Sequence, residues 1–325
     1  MTPLERALRD RILSEGPITV EAFMGACNAY YYATRDPLGA SGDFTTAPEI
    51  SQTFGELAGA CLADCWARAG GPNDAIYVEL GPGRGTLAAD ALRAIRSASL
   101  DPQVHFVETS AVLREAQAKA VPGATWHDDI ESLPEAPLLV VANEFLDALP
   151  VRQFAGGIER KVVIAAGGLA FDRGGEIVET SPARDEAVSQ IAKRLVANGG
   201  AALLVDYGHP KSGPGDTLQA VRAHGFVPVL DHPGEQDLTA HVDFEAVAKA
   251  AREAGASVTP LVPQGRWLDR LGILARAQAL TRAHPQRTAE IASAVHRLCD
   301  PDQMGELFKA VAIHSPGWPA PEGFE

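Results

Sequence analysis

Three glycines at alternate positions stand where an apolar run ends and a helical pattern begins. The run 75–80 reads AIYVEL and leads into Gly81, Gly83 and Gly85, after which apolar residues recur at helical spacing. Strand, tight turn and helix in this order are typical of a nucleotide-type cofactor site in an open α/β sheet. Glycine suits the turn because it adopts backbone angles closed to other residues and lets a ligand approach the main chain. The turn predicts a cofactor site, although ordinary strand–helix turns also use glycine.

Two carboxylates near this turn indicate which cofactor it binds. Glu79 lies two residues before the first glycine, and Glu108 ends the next apolar run. A carboxylate repels a pyrophosphate but attracts an ammonium or sulfonium group, and Glu108 could accept hydrogen bonds from both ribose hydroxyls. A P-loop needs Gly-Lys-Ser/Thr, whereas Gly85 is followed by Thr86, and a dinucleotide site needs GxGxxG, one residue longer than this GxGxG. The pattern favours S-adenosylmethionine over NAD, with a plain strand–helix turn and incidental acids as the alternative.

The same turn belongs to a set of segments that resemble the MidA-like family of class I methyltransferases. The matching segments, which run from about residue 30 to 313, are YY at 31–32, GDFTTAPEISQTFGE at 42–56, ELGPGRGTL at 79–87, NEFLDALP at 143–150, DYG at 206–208, DLTAHVDF at 237–244 and MG at 304–305. One departure is Leu146, where the family more often has phenylalanine. The resemblance implies a methyltransferase fold with extra helices. The family includes a mitochondrial complex I assembly factor, for which membership implies symmetric dimethylation of an arginine on a complex I subunit.

The acceptor side of the site is predicted at Asn143-Glu144, after the continuous apolar run 138–142. Such a run predicts a strand buried on both faces, and its carboxyl end is where open α/β sheets bind ligands. An arginine guanidinium is a poor nucleophile because it stays protonated, with a pKa above about 12. A carboxylate that holds two of its N–H groups would orient it and polarise the third nitrogen. Glu144 is the candidate for this catalytic role, with Asn143 as its neutral partner; alternatively, Asn143 caps the next segment and Glu144 pairs with Arg152.

The loop 42–49 comes before the predicted sheet, so it is free to cover the cofactor as a lid. Asp43 would then face the ammonium group of S-adenosylmethionine, and Thr45 or Thr46 would face its carboxylate. Phe44 favours an ordered, packed loop. A surface loop with a capping threonine is the alternative.

Four further polar residues are candidates for the site. Asp128 and Asp129 follow a short predicted strand and would meet the adenine amino group, unless they are simple turn residues. In the predicted strand 237–243, alternation places His241 on the polar face, which could border the substrate groove together with Asp206. A structural hydrogen bond is the alternative role for His241, and we expect no metal there.

These residues need an α/β scaffold, and the rest of the chain predicts one. Residues 1–75 read as helices with the lid loop between them, and strand–helix alternation begins at residue 76, as in a parallel sheet. Strands are predicted at 76–80, 104–108, 138–142 and 201–206, and helices at 86–98, 110–120 and 184–197. A β-meander is predicted at 151–173 and a helical segment at 266–299 before the last strand. We therefore expect a Rossmann-like class I methyltransferase core over 76–315, with a mostly parallel sheet, followed by a flexible tail at 316–325.

The bulk composition excludes several classes of protein. The 325 residues are 46% apolar and 22% charged, as in an ordinary globular protein. A net charge of −14 argues against general binding to nucleic acid or anionic membranes, and no run reaches the roughly 18 apolar residues of a membrane span. Residues 1–10 lack the features of a secretory signal or a transit peptide, so we expect a cytoplasmic protein. Cys61 and Cys65, one helical turn apart, are expected to be buried reduced thiols, not metal ligands.

Together these features favour a protein-arginine methyltransferase that uses S-adenosylmethionine, with a respiratory complex I subunit as a candidate protein substrate. A small-molecule N- or O-methyltransferase is the first alternative, because the cofactor half of the site does not determine the acceptor. An assembly factor that binds cofactor with little turnover is the second, and an NAD oxidoreductase ranks last. The sequence does not predict an oligomeric state.

Overall fold

The computed structural model describes residues 1–34 and 45–325, and its first part is helical. The elements before residue 70 are α1 (Pro3–Glu15), β1 (Ile18–Thr19), α2 (Val20–Thr34), α3 (Ala47–Ile50) and α4 (Gln52–Arg68). Thr2 caps α1, since its hydroxyl accepts a hydrogen bond from a backbone N–H of the first turn at 2.9 Å. Leu8 and Ile12 bury the apolar face of this helix. The helical N-terminal extension expected from the sequence is present.

The strands that carry the candidate site are deeply buried. The next elements are β2 (Ile76–Leu80), α5 (Thr86–Ser97), β3 (Val104–Val107), α6 (Ala111–Ala120), β4 (Thr125–His127) and β5 (Leu138–Asn143). Every residue of β2, β3 and β5 is buried, which explains why they read as continuous apolar runs. Helices α4 and α5 pack closely because Gly59 has no side chain: a Cβ there would lie 2.3 Å from the carbonyl oxygen of Ala91.

The inserted strands form two small sheets, where the sequence pattern indicated one meander. They are β6 (Arg152–Ala155), β7 (Ile158–Glu159), β8 (Lys161–Ala165), β9 (Gly168–Phe171) and β10 (Ile177–Thr180). One antiparallel sheet has the order β10-β6-β7, and the other has the order β1-β8-β9. In the second sheet Ile18 pairs with Val162, and both side chains are buried. The insertion therefore ties the N-terminal segment to the rest of the fold.

A long strand at the centre of the main sheet follows the insertion. The elements in this part are α7 (Pro182–Asn198), β11 (Gly200–His209), β12 (Gln219–Arg222), β13 (Gly225–Val227), β14 (Asp237–Thr239), β15 (Val242–Asp243), α8 (Phe244–Glu253), β16 (Ser257–Val258) and β17 (Val262–Pro263). The strand predicted over 237–243 is divided at Ala240 and His241. The Ala240 nitrogen donates to the carbonyl of Asp147 at 3.0 Å, so the chain leaves β12 there and continues beside β11.

The C-terminal part contains a helical insertion and a packed end. Its elements are α9 (Gln264–Arg270), α10 (Ile273–Ala283), a 3₁₀ turn (Pro285–Arg287), α11 (Thr288–Cys299), α12 (Met304–Leu307) and β18 (Phe308–His314). The expectation of a flexible tail at 316–325 differs from the structure. Phe324 is only 2% exposed, with its ring centroid 6.1 Å from that of Trp267, and Cys61 Sγ donates to the Glu322 carbonyl. This buried aromatic contact holds a segment whose prolines and glycines suggested disorder.

The main sheet reverses its strand order between β2 and β5. Its order is β16-β18-β11-β5-β2-β3-β4, with β15 beside β11 and β17 beside β18. The strands from β4 to β11 run parallel, and β18 runs antiparallel to β11. The chain moves from β2 outward to β3 and β4 and then returns to β5 on the other side. Ligands of open α/β sheets bind at the carboxyl ends of the strands beside such a reversal.

Helices cover both faces of this sheet. On one face, Leu62 of α4 and Leu92 of α5 pack in the same core as Leu139. On the other face, Ile191 of α7 and Val247 of α8 pack in the same core as Val140 of β5. The α/β class, the mostly parallel sheet, the inserted strands and the helical insertion before the last strand are confirmed. The boundaries 1–75 and 76–315 stay predictions.

Candidate active site

A cavity of about 790 Å³ lies at the carboxyl ends of β2, β3 and β5, where the strand order reverses. Its volume is within the range of roughly 300–1,000 Å³ typical of small-molecule sites. The sequence-predicted residues that the structure brings together in its wall are Thr46, Glu79, Gly81, Gly83, Glu108, Asn143, Glu144 and His241. Residues from α2, the β12–β14 sheet and β18 complete the wall. The predicted cofactor and acceptor residues therefore share one cavity.

The glycine turn lines this cavity with its first two members. Gly81 and Gly83 have positive φ angles of 60° and 54°, in the left-handed region that favours glycine. A Cβ on Gly81 would lie 3.1 Å from the ring of Phe145. Gly85 is not in the wall: it faces α6, where a Cβ would lie 3.3 Å from that of Ala120. Gly81 and Gly83 thus line the cavity, whereas Gly85 allows α5 and α6 to pack against each other.

Glu79 presents a buried carboxylate beside the turn. Its Oε2 accepts a hydrogen bond from the Tyr77 hydroxyl at 2.8 Å. Burial raises the pKa of Glu79 to about 8, and the Tyr77 hydroxyl opposes this only in part. Within the described ranges, no salt bridge reaches this carboxylate. Because a buried charge is costly without a counter-charge, the position suits a cationic ligand.

Glu108 is held in place by Gln117, a residue that sequence reasoning missed. Glu108 Oε1 accepts from the Ser110 nitrogen at 2.7 Å, and its Oε2 accepts from Gln117 Nε2 at 3.2 Å. Gln117 Nε2 also donates to the Gly83 carbonyl at 2.7 Å. Burial raises the pKa of Glu108. Gln117 thus connects the second acid to the glycine turn, and the only sequence signal is a polar residue on the inner face of α6.

Glu144 has an unusual backbone and a carboxylate in the cavity wall. Its φ of +51° lies in the left-handed region that non-glycine residues rarely adopt. Its Oε1 accepts from the Ala47 nitrogen at 3.3 Å and from Asn143 Nδ2 at 3.2 Å. Burial raises the pKa of Glu144 to about 8, with a further contribution from the charge of Asp147. The alternative pairing with Arg152 does not occur, because Arg152 binds Glu159 at 2.7 Å.

Further acids lie close to Glu144. Asp147 and Asp237 both belong to the cavity wall. Asp237 Oδ1 accepts from the Tyr32 hydroxyl at 2.8 Å, and burial raises the pKa of Asp147. Alternation in the predicted strand 237–243 places Asp237 on the same polar face as His241, whereas Asp147 was assigned no role because it lies inside a longer motif.

The one cation buried in this cluster is committed to the main chain, as far as residues 1–34 and 45–325 show. Arg184 Nε donates to the Leu146 carbonyl at 2.6 Å. Its Nη1 and Nη2 donate to the carbonyls of His241 and Ala240, each at 2.7 Å. Because its N–H groups bind carbonyl oxygens, the positive charge of Arg184 offsets the negative charge of the acids near Glu144 only at a distance.

Asp206 does not border the groove, contrary to the sequence-based expectation. Its buried Oδ2 accepts from the backbone nitrogens of Leu146 and Asp147 at 3.0 and 3.1 Å. Its Oδ1 accepts from the Tyr207 nitrogen. Both oxygens of the Asp206 carboxylate therefore bind backbone nitrogens, and those bonds stabilise the turn after β5. His241 does line the cavity, where its ring contacts Tyr207 edge-on and burial lowers its pKa, so it is neutral near pH 7.

The predicted adenine contacts lie outside the cavity. The exposed side chain of Asp128 pairs with Arg114 at 2.6 Å, and Asp129 Oδ1 accepts from the Ser132 nitrogen at 2.8 Å. Asp129 thus stabilises the turn after β4, which was the alternative interpretation, and Asp128 pairs with a residue of α6. In the predicted lid, Thr46 lies in the wall and Thr45 does not.

Within the predicted lid, Asp43 lies outside the described residues. Glu49, which sequence reasoning did not assign, lines the wall and accepts from the Thr86 hydroxyl at 2.6 Å. This bond connects the end of the predicted lid to the first turn of α5.

The described part of the chain contains no group of three or more His, Cys, Asp or Glu residues that could hold a metal ion. No helix in those same residues combines the length and apolarity of a membrane span. Cys61 and Cys65 are buried free thiols, and burial raises the pKa of both.

The fold and the cavity define a class. The sheet is mostly parallel, with a glycine turn after β2, an acid near the end of β2, another directly after β3 and a polar pair at the end of β5. This is the arrangement expected of a Rossmann-like class I methyltransferase. The profile of an S-adenosyl-L-methionine-dependent methyltransferase family matches residues 57–168 and 159–262, more than half of the chain. The chain belongs to this family, is an S-adenosylmethionine-dependent methyltransferase and uses S-adenosylmethionine as its cofactor.

Similar proteins extend over nearly the whole chain. A Drosophila melanogaster protein named protein arginine methyltransferase NDUFAF7 homolog, mitochondrial, is 36% identical over 95% of this chain and 84% of its own length. The Homo sapiens protein arginine methyltransferase NDUFAF7, mitochondrial, is 33% identical over 96% of this chain and 83% of its own. A crystal structure from Burkholderia thailandensis, described as that of a likely methyl transferase bound to S-adenosyl-homocysteine, is 29% identical with a TM-score of 0.86, covering 98% of this chain and 93% of that chain.

The expectation of a cytoplasmic protein is wrong by comparison with these relatives. The Drosophila, mouse and human relatives are all named as mitochondrial. The expectation used the composition of residues 1–10, but the structure places most of that segment in α1, where Leu8 is part of a buried core. The composition of a segment that packs into the fold reflects that packing, so it does not indicate the cellular compartment.

Proposed function

We propose that this methyltransferase acts on an arginine side chain of a protein and that Glu144 binds the guanidinium. The observation that supports this most directly is the buried carboxylate of Glu144 in the cavity wall, to which no described residue forms a salt bridge. Phe145, the next residue, lies beside Gly81, where a Cβ would be 3.1 Å from its ring, and Glu144 lines the same cavity as the glycine turn. A cationic acceptor at this position would supply the missing counter-charge.

The geometry of Glu144 indicates how the acceptor is held. S-adenosylmethionine supplies, when bound, an electrophilic methyl group on a sulfonium. Because Glu144 Oε1 already accepts from Ala47 and Asn143, Oε2 is the oxygen available to a guanidinium N–H. Holding that N–H aligns the guanidinium and excludes water from the attacking nitrogen. That nitrogen must lose a proton as the N–C bond forms, and a carboxylate with a pKa near 8 can accept it at Oε2.

The proposed acceptor is a protein and not free arginine. The relatives from Drosophila and human are named protein arginine methyltransferases. The resemblance to a family that contains a complex I assembly factor makes a respiratory complex I subunit the specific candidate. The exposed ring of Phe226 at the cavity wall, 78% accessible, would provide an apolar contact for a polypeptide at the entrance.

Labelling of a cell extract tests this proposal. Extract from a strain that lacks the protein is incubated with the purified chain and S-adenosylmethionine that carries a labelled methyl group. Mass spectrometry should then find the label on an arginine of a protein, and the variant Glu144→Gln should label none. Label confined to small molecules would favour a small-molecule methyltransferase instead. Cofactor binding without any labelled product would favour an assembly factor with little turnover.

A further inference from the structure

The side-chain amide of Gln117 is the centre of a hydrogen-bond network next to the cavity. Its Nε2 donates to the Gly83 carbonyl at 2.7 Å and to Glu108 Oε2 at 3.2 Å, and its Oε1 accepts from Trp126 Nε1 at 2.7 Å. Glu108 and Gly83 line the cavity, whereas Gln117 is fully buried and Gln117 and Trp126 are not in the cavity wall. The amide can therefore act on a ligand through its two neighbours but not by direct contact.

Trp126 determines the orientation of this amide. An indole N–H can donate a hydrogen bond but cannot accept one, so the amide must turn Oε1 toward it. The N–H groups of Nε2 then face the two acceptors, the Gly83 carbonyl and the Glu108 carboxylate. The reverse orientation would set two donors against each other at Trp126 and place Oε1 against two acceptors, which is costly in a buried position. A residue of β4 thus controls which atom of α6 meets the acid after β3.

The Glu108 carboxylate is held at both of its oxygens. Oε1 accepts from the Ser110 nitrogen at 2.7 Å, Oε2 accepts from Gln117, and the main-chain carbonyl accepts from Arg114 Nε at 2.7 Å. The last torsion of a glutamate has no sharply preferred value, so a donor at each oxygen is what fixes the plane of the group. A carboxylate with a fixed plane can accept from two neighbouring hydroxyl groups at once. The ribose of S-adenosylmethionine carries such a pair.

We propose that Gln117, oriented by Trp126, is a positioning residue that aligns Glu108 with the two ribose hydroxyls of the cofactor. The inference rests on the expectation that Glu108 binds the ribose, and it goes beyond the proposed function because it does not depend on the methyl acceptor. Glu108 makes the contact with the hydroxyls. Gln117 and Trp126 determine how well that contact is aligned.

The ratio of two affinities tests this inference in the full-length chain. The probes are S-adenosylhomocysteine and its 2′-deoxyribose analogue, and calorimetry measures the preference of the chain for the first. Trp126→Phe removes the indole N–H but keeps an aromatic ring beside Phe106, whose ring centroid lies 6.3 Å from that of Trp126. The preference should fall by about two- to tenfold, the size of one hydrogen bond between uncharged groups. A general loosening of the site would weaken both probes equally and leave the ratio unchanged.

A second variant tests whether Trp126 acts through Gln117. Gln117→Met keeps a long side chain without donors, and the preference should fall at least as far as in Trp126→Phe. The double variant should show no further loss, because the indole N–H then has no amide to orient. An unchanged ratio in either single variant, or losses that add in the double variant, would overturn the inference.

Trp66→Phe is the matched control. The Trp66 indole N–H also donates to a single main-chain carbonyl, that of Pro72 at 2.9 Å, and Trp66 is not in the cavity wall. This variant should keep the wild-type ratio. A wild-type chain without any preference would refute the ribose contact of Glu108, and the inference with it. The proposed function would be unaffected, because its readout is label on an arginine.

A crystal structure of the wild-type chain with S-adenosylhomocysteine makes the test independent of any variant. Both ribose hydroxyl oxygens should lie within about 2.5–3.0 Å of the Glu108 carboxylate oxygens, the usual range for such hydrogen bonds. Hydroxyl groups that bind other residues instead would overturn the inference.

Discussion

Glu144 combines a left-handed backbone conformation with a buried carboxylate, and neither feature is favourable for stability by itself. The turn that holds it is fixed by Asp206, whose oxygens accept from the backbone of the next residues. This fixed turn holds the Glu144 carboxylate in the cavity wall. The strain is consistent with a role in function, which the following predictions test.

The variant Glu144→Gln should retain cofactor binding and lose methyl transfer. Glutamine keeps the hydrogen bonds to Ala47 and Asn143 but cannot accept the proton or carry the charge. We expect kcat to fall by about 100-fold or more, in the range of general acid–base residues, and cofactor affinity to change little. The matched control Glu115→Gln, on the exposed side of α6, should behave as wild type in both assays. An equal loss of cofactor binding and transfer would refute the acceptor role.

Methyl transfer should increase with pH up to about 8. Glu144 has a pKa of about 8, raised by burial and by Asp147, so below that value it is mostly protonated and cannot hold a guanidinium. The other titratable groups that act on it are Asp237 and Asp206. The measurement is kcat/KM for the protein acceptor at saturating cofactor, so that the titration of Glu79 does not contribute. A profile that is flat between pH 6 and 8 would contradict this assignment.

At the scale of elements, the glycine turn after β2 shapes the cofactor half of the cavity. Gly83→Val should abolish S-adenosylmethionine binding, because Gly83 lines the cavity and a branched side chain at this position would compete with the cofactor for space. Gly123→Val is the control, since Gly123 also has a positive φ but a Cβ there would meet open space. Both variants carry similar backbone strain of roughly 1–2 kcal/mol. Calorimetry that finds normal binding in Gly83→Val would place the cofactor elsewhere.

The elements differ in how far the sequence predicts them. Strands β2 and β5 are predicted well, because burial on both faces requires a continuous apolar run. The pairing of Ile18 with Val162 is not predicted, since short strands far apart in sequence carry no pattern of their own. Within the site, Glu79 and Glu144 stand at strand ends and are recognisable. Gln117 and the role of Asp147 depend on which helix or turn faces the cavity, and only the packed structure shows this.

At the scale of the whole molecule, the buried acids predict how stability depends on pH. Glu79 and Glu144 have folded-state pKa values of about 8, above the ordinary value of 4.5, so the folded chain binds protons that the unfolded chain has released. Their contribution is therefore fully present below pH 4.5 and is lost as pH rises through 8. The melting temperature of the cofactor-free chain should fall between pH 6 and 8. It should fall less in Glu79→Gln, and a rise would contradict the buried state of these acids.

The packed C-terminal segment should contribute to global stability. Phe324→Ala removes a ring that is 2% exposed and should lower the free energy of unfolding by about 3 kcal/mol. Phe226→Ala, at a position 78% exposed, should change it by less than about 0.5 kcal/mol. Denaturant unfolding measures both. Thiol reagents should also reach Cys61 faster in Phe324→Ala, because the Cys61 thiol donates to the neighbouring Glu322 carbonyl. Equal stability of the two variants would show that the tail is loosely held.

The position of β18 between β11 and β16 affects how the chain can fold. During synthesis the other core strands leave the ribosome first, while a place in the sheet beside β11 stays vacant until residue 314 has emerged. Closing contacts between such distant segments is entropically slow. Until then, the apolar edge of β11 is open to pairing with other chains. We therefore expect a nascent chain of this protein to need a chaperone, or rapid completion, more than a fold whose last strand is peripheral.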